Sequence, residues 1–207
     1  MATAILHLYT DFVCPFCFIA EQSTVPRLLE EFDLQLDWCG FELHPGTPPG
    51  GRPLSHLFPG VDLDALHAQT QRFAASFGVT GFSPPNRLQN SRRALALAEV
   101  AREQGRLEPF RNAAFEAHWR RGEDLEDTAT LQRLATMAGL DPDAGLSEAD
   151  SPGILQRVDA RQQEARRRGV TGIPTFVISS QRIVGCQPYS ALATAAARAG
   201  VTRRSAQ

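Results

Sequence analysis

Short β-rich stretches at the two ends of the chain, with about a hundred helix-patterned residues between them, constrain the fold most. Residues 4–10 (AILHLYT) form an apolar, β-compatible run and are expected to be a first strand. A helix is expected to open at Pro15, because proline is favoured at the first helical position, and to run to about Phe32. Pro26 inside it should kink it or leave one backbone bond unmade. Residues 34–43 (LQLDWCGFEL) alternate enough for a second strand, and strand, helix, strand suggests a parallel β-α-β unit. Near the other end, TFVIS (175–179) and RIVGC (182–186), separated by Ser180-Gln181, read as a hairpin. Ser190 is expected to cap a last alanine-rich helix to about Ala199, and the tail VTRRSAQ to be frayed.

Residues 44–61 carry five prolines and four glycines and read as a long loop, either a linker or part of a binding site. Helical patterns follow. LDALHAQTQRFAASF precedes Gly78, and SRRALALAEVAREQ lies between Asn90, a good N-cap, and Gly105. EPFRNAAFEAHWRR ends at Gly122 and TATLQRLATMA at Gly139. Ser151-Pro152 opens a helix that closes at Gly169, with Arg166, Arg167 and Arg168 in its final turn complementing the helix dipole. No sequence repeat relates these segments. The order β-α-β, helical block, β-β-α suggests an α/β sheet protein with one insertion.

A chain of 207 residues, 43% hydrophobic and 21% charged, is long enough to bury one core, or one core plus an insertion. A net charge of −2 gives no electrostatic reason to expect nucleic acid or an anionic membrane as partner. No run of 18 apolar residues occurs, so no transmembrane helix is expected. The first residues, MATAILHLYTDF, lack a basic leader and a cleavable apolar stretch, so the expected address is cytoplasmic. Four cysteines in such a chain do not make a structural disulfide framework. All 21 basic residues are arginine, which removes Schiff-base chemistry and the P-loop lysine.

Within YTDFVCPFCF (9–18), Cys14 and Cys17 flank Pro15-Phe16 between strand and helix. A structural metal needs four ligands, usually as two paired clusters, yet this pair stands alone. Cys39 and Cys186 are single residues in strands, and histidines 7, 44, 56, 67 and 118 show no metal-ligand spacing, so no metal is expected. A disulfide closing so small a ring would constrain few residues of the unfolded chain and staple poorly. Redox chemistry has a specific mechanism. A cysteine at the N-cap of a helix faces unsatisfied N–H groups and the positive end of the dipole, which favour thiolate over thiol. Cys17, one turn later, is placed to attack a mixed disulfide formed on Cys14. A CxxC beside a β-α-β pattern reads as a thioredoxin-like redox motif. VTGIPTFVI (170–178) adds a proline at the entry of the hairpin, where a cis Ile173–Pro174 bond would turn backbone groups outward for an extended substrate.

With DFVCPFCF, FELHP, PPNRLQNSRRALALA and VTGIPTFVI in this order, the chain resembles the DsbA-like thioredoxin superfamily, and within it the FrnE-like cytosolic branch. The resemblance implies an α/β thioredoxin fold with a large all-helical insertion: residues 1–61 and 170–207 as a discontinuous thioredoxin-like domain, and 62–169 as an inserted helical domain. It implies thiol–disulfide oxidoreduction without a cofactor, on protein or low-molecular-weight disulfides, glutathione among them. Cys14 is then the exposed attacking thiol, Cys17 the resolving one and Pro174 the cis-proline facing them, with Ile173, Pro15 and Phe16 on the substrate's side. Phe16 and Phe18 replace the Trp and Tyr common around the pair. The same superfamily holds kappa-type glutathione transferases and 2-hydroxychromene-2-carboxylate isomerases, which typically carry serine at the first position; this glutathione-dependent branch is the alternative. A binding module that holds a client or metal without turnover is a second.

In a thioredoxin sheet the second and fourth strands lie at opposite edges, three spacings of about 4.8 Å apart. Cys39 and Cys186 should therefore not pair, since a disulfide spans Cα separations of at most about 6.8 Å. Both read as small hydrophobes, Cys186 being the better placed for an auxiliary redox role. Asp11 could raise a thiol's pKa by its charge, shuttle the resolving thiol's proton, or merely satisfy turn backbone groups. His44 ends the second strand near the site, while His7 reads as a packed or edge-facing side chain. Asn90 is a helix cap or part of a glutathione or peptide groove. Trp119 with Arg120-Arg121 reads as one packed and one solvated helix face.

Overall fold

The computed structural model describes residues 3–204. Strand β1 (Ala4–Thr10) pairs in parallel with β2 (Leu34–Gly40), from Ala4 opposite Leu34 to Thr10 opposite Gly40. On its other side β1 pairs antiparallel with β5 (Thr175–Ile178), and β5 with β6 (Gln181–Val184). The four-stranded mixed sheet therefore runs β2-β1-β5-β6, the thioredoxin-fold order that the resemblance implies. Leu6, Leu8, Phe176 and Ile178 are buried in it. Cys39, in β2, and Cys186, just past β6, belong to opposite edges, and both are free.

The connection between β1 and β2 departs from the expected single helix. It is two helices, α1 (Pro15–Gln22) and α2 (Thr24–Glu31), broken at Ser23, whose backbone (φ −128°, ψ −75°) is not helical. The break places Pro26 in the first turn of α2, where a missing N–H leaves no helical carbonyl without its donor. The hydroxyls of Ser23 and Thr24 donate back to the carbonyls of Ile19 and Ala20, at 2.6 and 3.3 Å. Strand β2 ends three residues before Leu43. Glu42 and Leu43 give their N–H groups to the side chains of Gln162 and Asp11, and so leave the ladder.

The loop expected over 44–61 contains β3 (Arg52–Pro53) and a short helix, α3 (Leu54–Leu57). β3 pairs with β4 (Arg87–Leu88), so the ribbon joins this loop to the chain that follows α4 (Leu63–Ser76). Next come α5 (Arg92–Glu103), α6 (Leu107–Arg121), α7 (Thr128–Ala138), α8 (Pro142–Ala149) and α9 (Pro152–Arg167), packed on one another around α5. Gly40 marks the close approach of β2 to α5: a Cβ there would lie 3.0 Å from Leu95 Cδ2. α8 was not expected, although Asp141 caps it through the N–H groups of Asp143 and Ala144 and Pro142 opens it. The N-cap of α5 is Ser91, not Asn90; Asn90 Oδ1 nevertheless accepts the Arg92 N–H at 2.8 Å.

At the C-terminal end the hairpin turn is Ser179-Ser180, one residue earlier than expected, with Ser179 in the left-handed region (φ 52°). The last helix, α10 (Tyr189–Arg198), begins after Pro188, so Ser190 lies inside its first turn and caps nothing. Residues 201–204 are not frayed. Thr202 accepts the Asp33 N–H, Arg204 donates to the Glu31 carbonyl, both at 2.9 Å, and Arg203 pairs with Phe32. Residues 205–207 of the expected tail lie outside the described residues.

The sheet side and the helical side are joined by buried polar contacts. Glu21 of α1 accepts from Trp38 Nε1 at 2.6 Å and pairs with Arg111 of α6 at 3.1 Å. Burial pushes the Glu21 carboxyl up, while Arg111 and Trp38 pull the other way. Trp119 of α6 donates to the Phe12 carbonyl at 2.7 Å.

Candidate active site

Cys14 is the N-cap of α1, its backbone extended (φ −95°, ψ 117°) and followed by Pro15 at the first helical position. Its carbonyl accepts the Phe18 N–H at 3.2 Å, so the helix starts at the thiol-bearing residue. The sulfur makes no capping hydrogen bond; its thiol points to the Ile173 carbonyl, 3.9 Å away. The Ile173–Pro174 peptide bond is cis, and the Pro174 carbonyl accepts the Gly185 N–H at 2.7 Å. Cys14 is only 2% exposed, where a surface thiol was expected. It is reached through a cavity, not from open surface, because the 44–61 loop and α4 stand over it.

Cys17 is fully buried one turn along α1, within hydrogen-bonding reach of Cys14. Burial, then the neighbouring Cys14, push its thiol well above the ordinary range, while the Thr10 hydroxyl and the Asp11 backbone N–H act against them. Asp11 thus meets the resolving thiol through its backbone. Its carboxyl is buried, accepts the Leu43 N–H at 2.8 Å through Oδ2, and leaves Oδ1 without a partner. Burial lifts this carboxyl to about 6, with the Leu43 N–H opposing. Cys39, donating toward Asp37, and Cys186 are each pushed up to about 12, chiefly by burial; the neighbouring charges of Asp37 and of Cys14, respectively, add to it.

The cavity measures about 270 Å³. Cys14, Pro15 and Phe16 form one wall, and Ile173 and His44 border it. Burial lowers the His44 imidazole's pKa. Leu57 at the end of α3, Phe58 just after it, Leu66 and His67 (α4) and the Pro84-Pro85 pair close it from the other side. His118 and Trp119 of α6 complete it. Phe16 and Phe58 stay 42% and 40% exposed. Asn90 does not line the cavity; its amide donates to the Thr47 carbonyl at 2.6 Å and ties the long loop to α5. Trp119 is packed, stacked on Phe82 with ring centroids 5.1 Å apart; Arg121 is exposed, whereas Arg120 is half-buried over the Phe18 ring and paired with Glu116.

Sequence reading missed His67, His118 and the Pro84-Pro85 wall. A histidine on the apolar side of α6 was the available signal, but nothing local says that its helix meets the Cys14 wall. It also missed that the parallel register sets His7 opposite Asp37. His7 Nδ1 bonds Asp37 Oδ2 at 2.8 Å, and with Cys39 Sγ these atoms lie within 4.8 Å of one another. Arg102 stands 3.6 Å from Asp37, supplying positive charge there.

Sheet order, the CxxC at the head of α1 and the cis-proline at the start of β5 define a thioredoxin-type fold. The chain belongs to the DsbA-like thioredoxin family: the family model "DSBA-like thioredoxin domain" matches residues 5–197. Members of this family are in general disulfide oxidoreductases. The chain is 26% identical over 187 residues to "Uncharacterized protein YwbO" of Bacillus subtilis (strain 168), covering 88% of this chain and 90% of that protein. Among solved structures it is similar to "probable DsbA oxidoreductase SCO1869" from Streptomyces coelicolor, with TM-score 0.83, 24% identity, and 95% and 90% of the two chains covered. It also resembles in fold a 2-hydroxychromene-2-carboxylate isomerase, with TM-score 0.77, 22% identity, and 94% and 95% covered. Among the described residues no helix is long and apolar enough to cross a membrane.

Proposed function

We propose that this chain is a cytoplasmic, FrnE-like thiol–disulfide oxidoreductase working through Cys14 and Cys17. The thioredoxin-like part (1–61 and 170–207) supplies the thiols, and the helical insertion (62–169) covers them. The Cys14 thiolate attacks a substrate disulfide; a sulfur–sulfur bond forms, the substrate's own breaks, and one substrate thiol leaves with a proton. Cys17 then loses its proton and attacks Cys14, releasing the second substrate thiol and leaving a Cys14–Cys17 disulfide. Two electrons pass to the substrate, and a dithiol reductant restores the pair. Ile173 and Pro174 border the sulfur on one side, Pro15 and Phe16 on the other, which is where the substrate lies. Thr10 and the Asp11 N–H stabilise the Cys17 thiolate in the second step. The observation that carries this reading is the contact of the Cys14 thiol with the Ile173 carbonyl, at the head of α1 and beside Cys17.

The test mixes the reduced protein with hydroxyethyl disulfide and follows the thiols. The native chain should lose Cys14 and Cys17 together and gain their crosslink by mass spectrometry. Cys17→Ser should stop at a mixed disulfide on Cys14, and Cys14→Ser should form neither. A Cys17→Ser variant that forms no adduct yet turns over a glutathione-dependent isomerase substrate would overturn the reading for the glutathione-dependent alternative.

A further inference from the structure

The cavity leading to Cys14 has a specific chemistry. Its volume, about 270 Å³, lies just below the range of ligand sites, roughly 300 to 1,000 Å³. It has room for one or two six-membered rings. The lining is mostly Leu, Pro, Phe and Trp side chains. Arg87 carries the one permanent charge among the lining residues, and its guanidinium already donates to the carbonyls of Gly50 and Gly51.

The other polar groups of the lining are mostly occupied. Trp119 Nε1 is spent on Phe12, and the Thr70 hydroxyl on the Leu66 carbonyl. The exceptions are histidines. His118 is 1% exposed, lines the cavity, and has no partner at Nδ1; His67 of α4, which also lines it, has none at Nε2. Burial pushes the His118 imidazole down to about 4, so it is neutral near pH 7 and offers a ligand one uncharged polar contact. A buried polar atom left without a partner loses free energy that a ligand atom can restore.

We propose that the substrate is a small, uncharged aromatic disulfide whose ring occupies the cavity with one polar atom at His118, an assignment that rests on the oxidoreductase reading above. The ring enters past Phe16 and Phe58, its disulfide meets Cys14, and the electrons move as already described, giving two aromatic thiols and the Cys14–Cys17 disulfide. Charged disulfides such as oxidised glutathione are poor substrates, because the one permanent charge of the lining, Arg87, is already engaged by the Gly50 and Gly51 carbonyls.

Rapid mixing of reduced protein with three disulfides tests this: dipyridyl disulfide, the dianionic nitrobenzoate disulfide and oxidised glutathione. Each rate is divided by that of the same disulfide with free dithiothreitol. Dipyridyl disulfide should show a saturating rate and a normalised advantage of at least about tenfold, the worth of one hydrogen bond made in a dry site. Dipyridylethane, in which two methylenes replace the sulfurs, should inhibit it competitively and raise the melting temperature. His118→Phe should lower the advantage of dipyridyl over diphenyl disulfide by about tenfold, again one hydrogen bond. Should that variant fail to fold, inhibition of the native chain by dipyridylethane carries the test. Linear kinetics with all three disulfides, ranked as with free dithiothreitol and without inhibition, would overturn the assignment and leave the oxidoreductase reading standing. Exchange with no disulfide would remove both.

Discussion

Helices α4 and α5 both lie between β2 and β5, yet they are held in opposite ways. α5 buries eight residues, Ala94 through Ala101, and is packed against α6, α7, α8 and α9. α4 is longer, 14 residues, and buries Ala74 alone. Its inner side, with Leu66, His67 and Thr70, faces the cavity instead of a core. The wall behind Cys14 is thus part of the protein's interior, while the cover over it rests on a hollow. A segment with few buried contacts opens at lower free energy than the core it leans on.

The fixed wall can be attacked through its buried ion pair. Arg111→Ala leaves Glu21 buried with Trp38 as its remaining partner and should destabilise the fold by about 3–5 kcal/mol. The urea midpoint should fall with little change in slope. A loss below about 1 kcal/mol would mean that Glu21 simply takes up a proton.

Asp11 works in the opposite direction on the same wall. Its carboxyl is raised from 3.8 to about 6 in the folded state, so between those values the folded chain holds a proton that the unfolded chain has lost. Stability should therefore fall as pH rises from about 4 to about 6, by on the order of 2–3 kcal/mol. Asp11→Asn should flatten that profile and raise the melting temperature at pH 7 while changing it little below pH 4. A variant whose pH profile matches the native one would show that Asp11 is not the group responsible.

For the cover, amide exchange is the direct measurement. α4 amides should exchange about a hundredfold faster than those of α5, a difference near 3 kcal/mol in opening free energy. Equal protection would make the cover a rigid part of the core. The smallest effect is expected at Gly51, which sits at φ +71° with its would-be Cβ 2.3 Å from the Leu88 carbonyl oxygen. Gly51→Ala should unseat the β3–β4 ribbon, speed proteolysis within 44–61, and cost global stability only about 1 kcal/mol.

The two regions were also unequally legible. The β1 run, the CxxC at a strand-to-helix junction and the two β runs after Pro174 are local patterns, and each lies where its pattern put it, within a residue or two. The break at Ser23 was less visible, because Pro26 could bend one helix or start another and tertiary packing decided. Helix α8 carried its Asp141-Pro142 start in plain view, but its eight residues make too short a periodic pattern to stand out. The cavity was legible only in part: the 44–61 loop, His44, Pro15, Phe16 and Ile173 were placed near the thiol, its helical walls were not. It is assembled from α1, Leu43-His44, α3, α4, residues 84–88, α6 and Ile173, segments far apart in the chain, and no local signal states which helix will cover a thiol. For that reason Cys14 was expected at the surface and lies instead at the wall of a cavity.

The chain has two tryptophans, and each is wired to one side of the thiol pair. Trp38 donates to Glu21 of the helix that carries Cys17; Trp119 donates to Phe12, two residues ahead of Cys14, and lines the cavity. On the proposed reading, closing the disulfide or seating a ring beside it should change the surroundings of at least one indole. The protein thus has a built-in optical gauge, and its emission can be followed through a redox titration with no label attached.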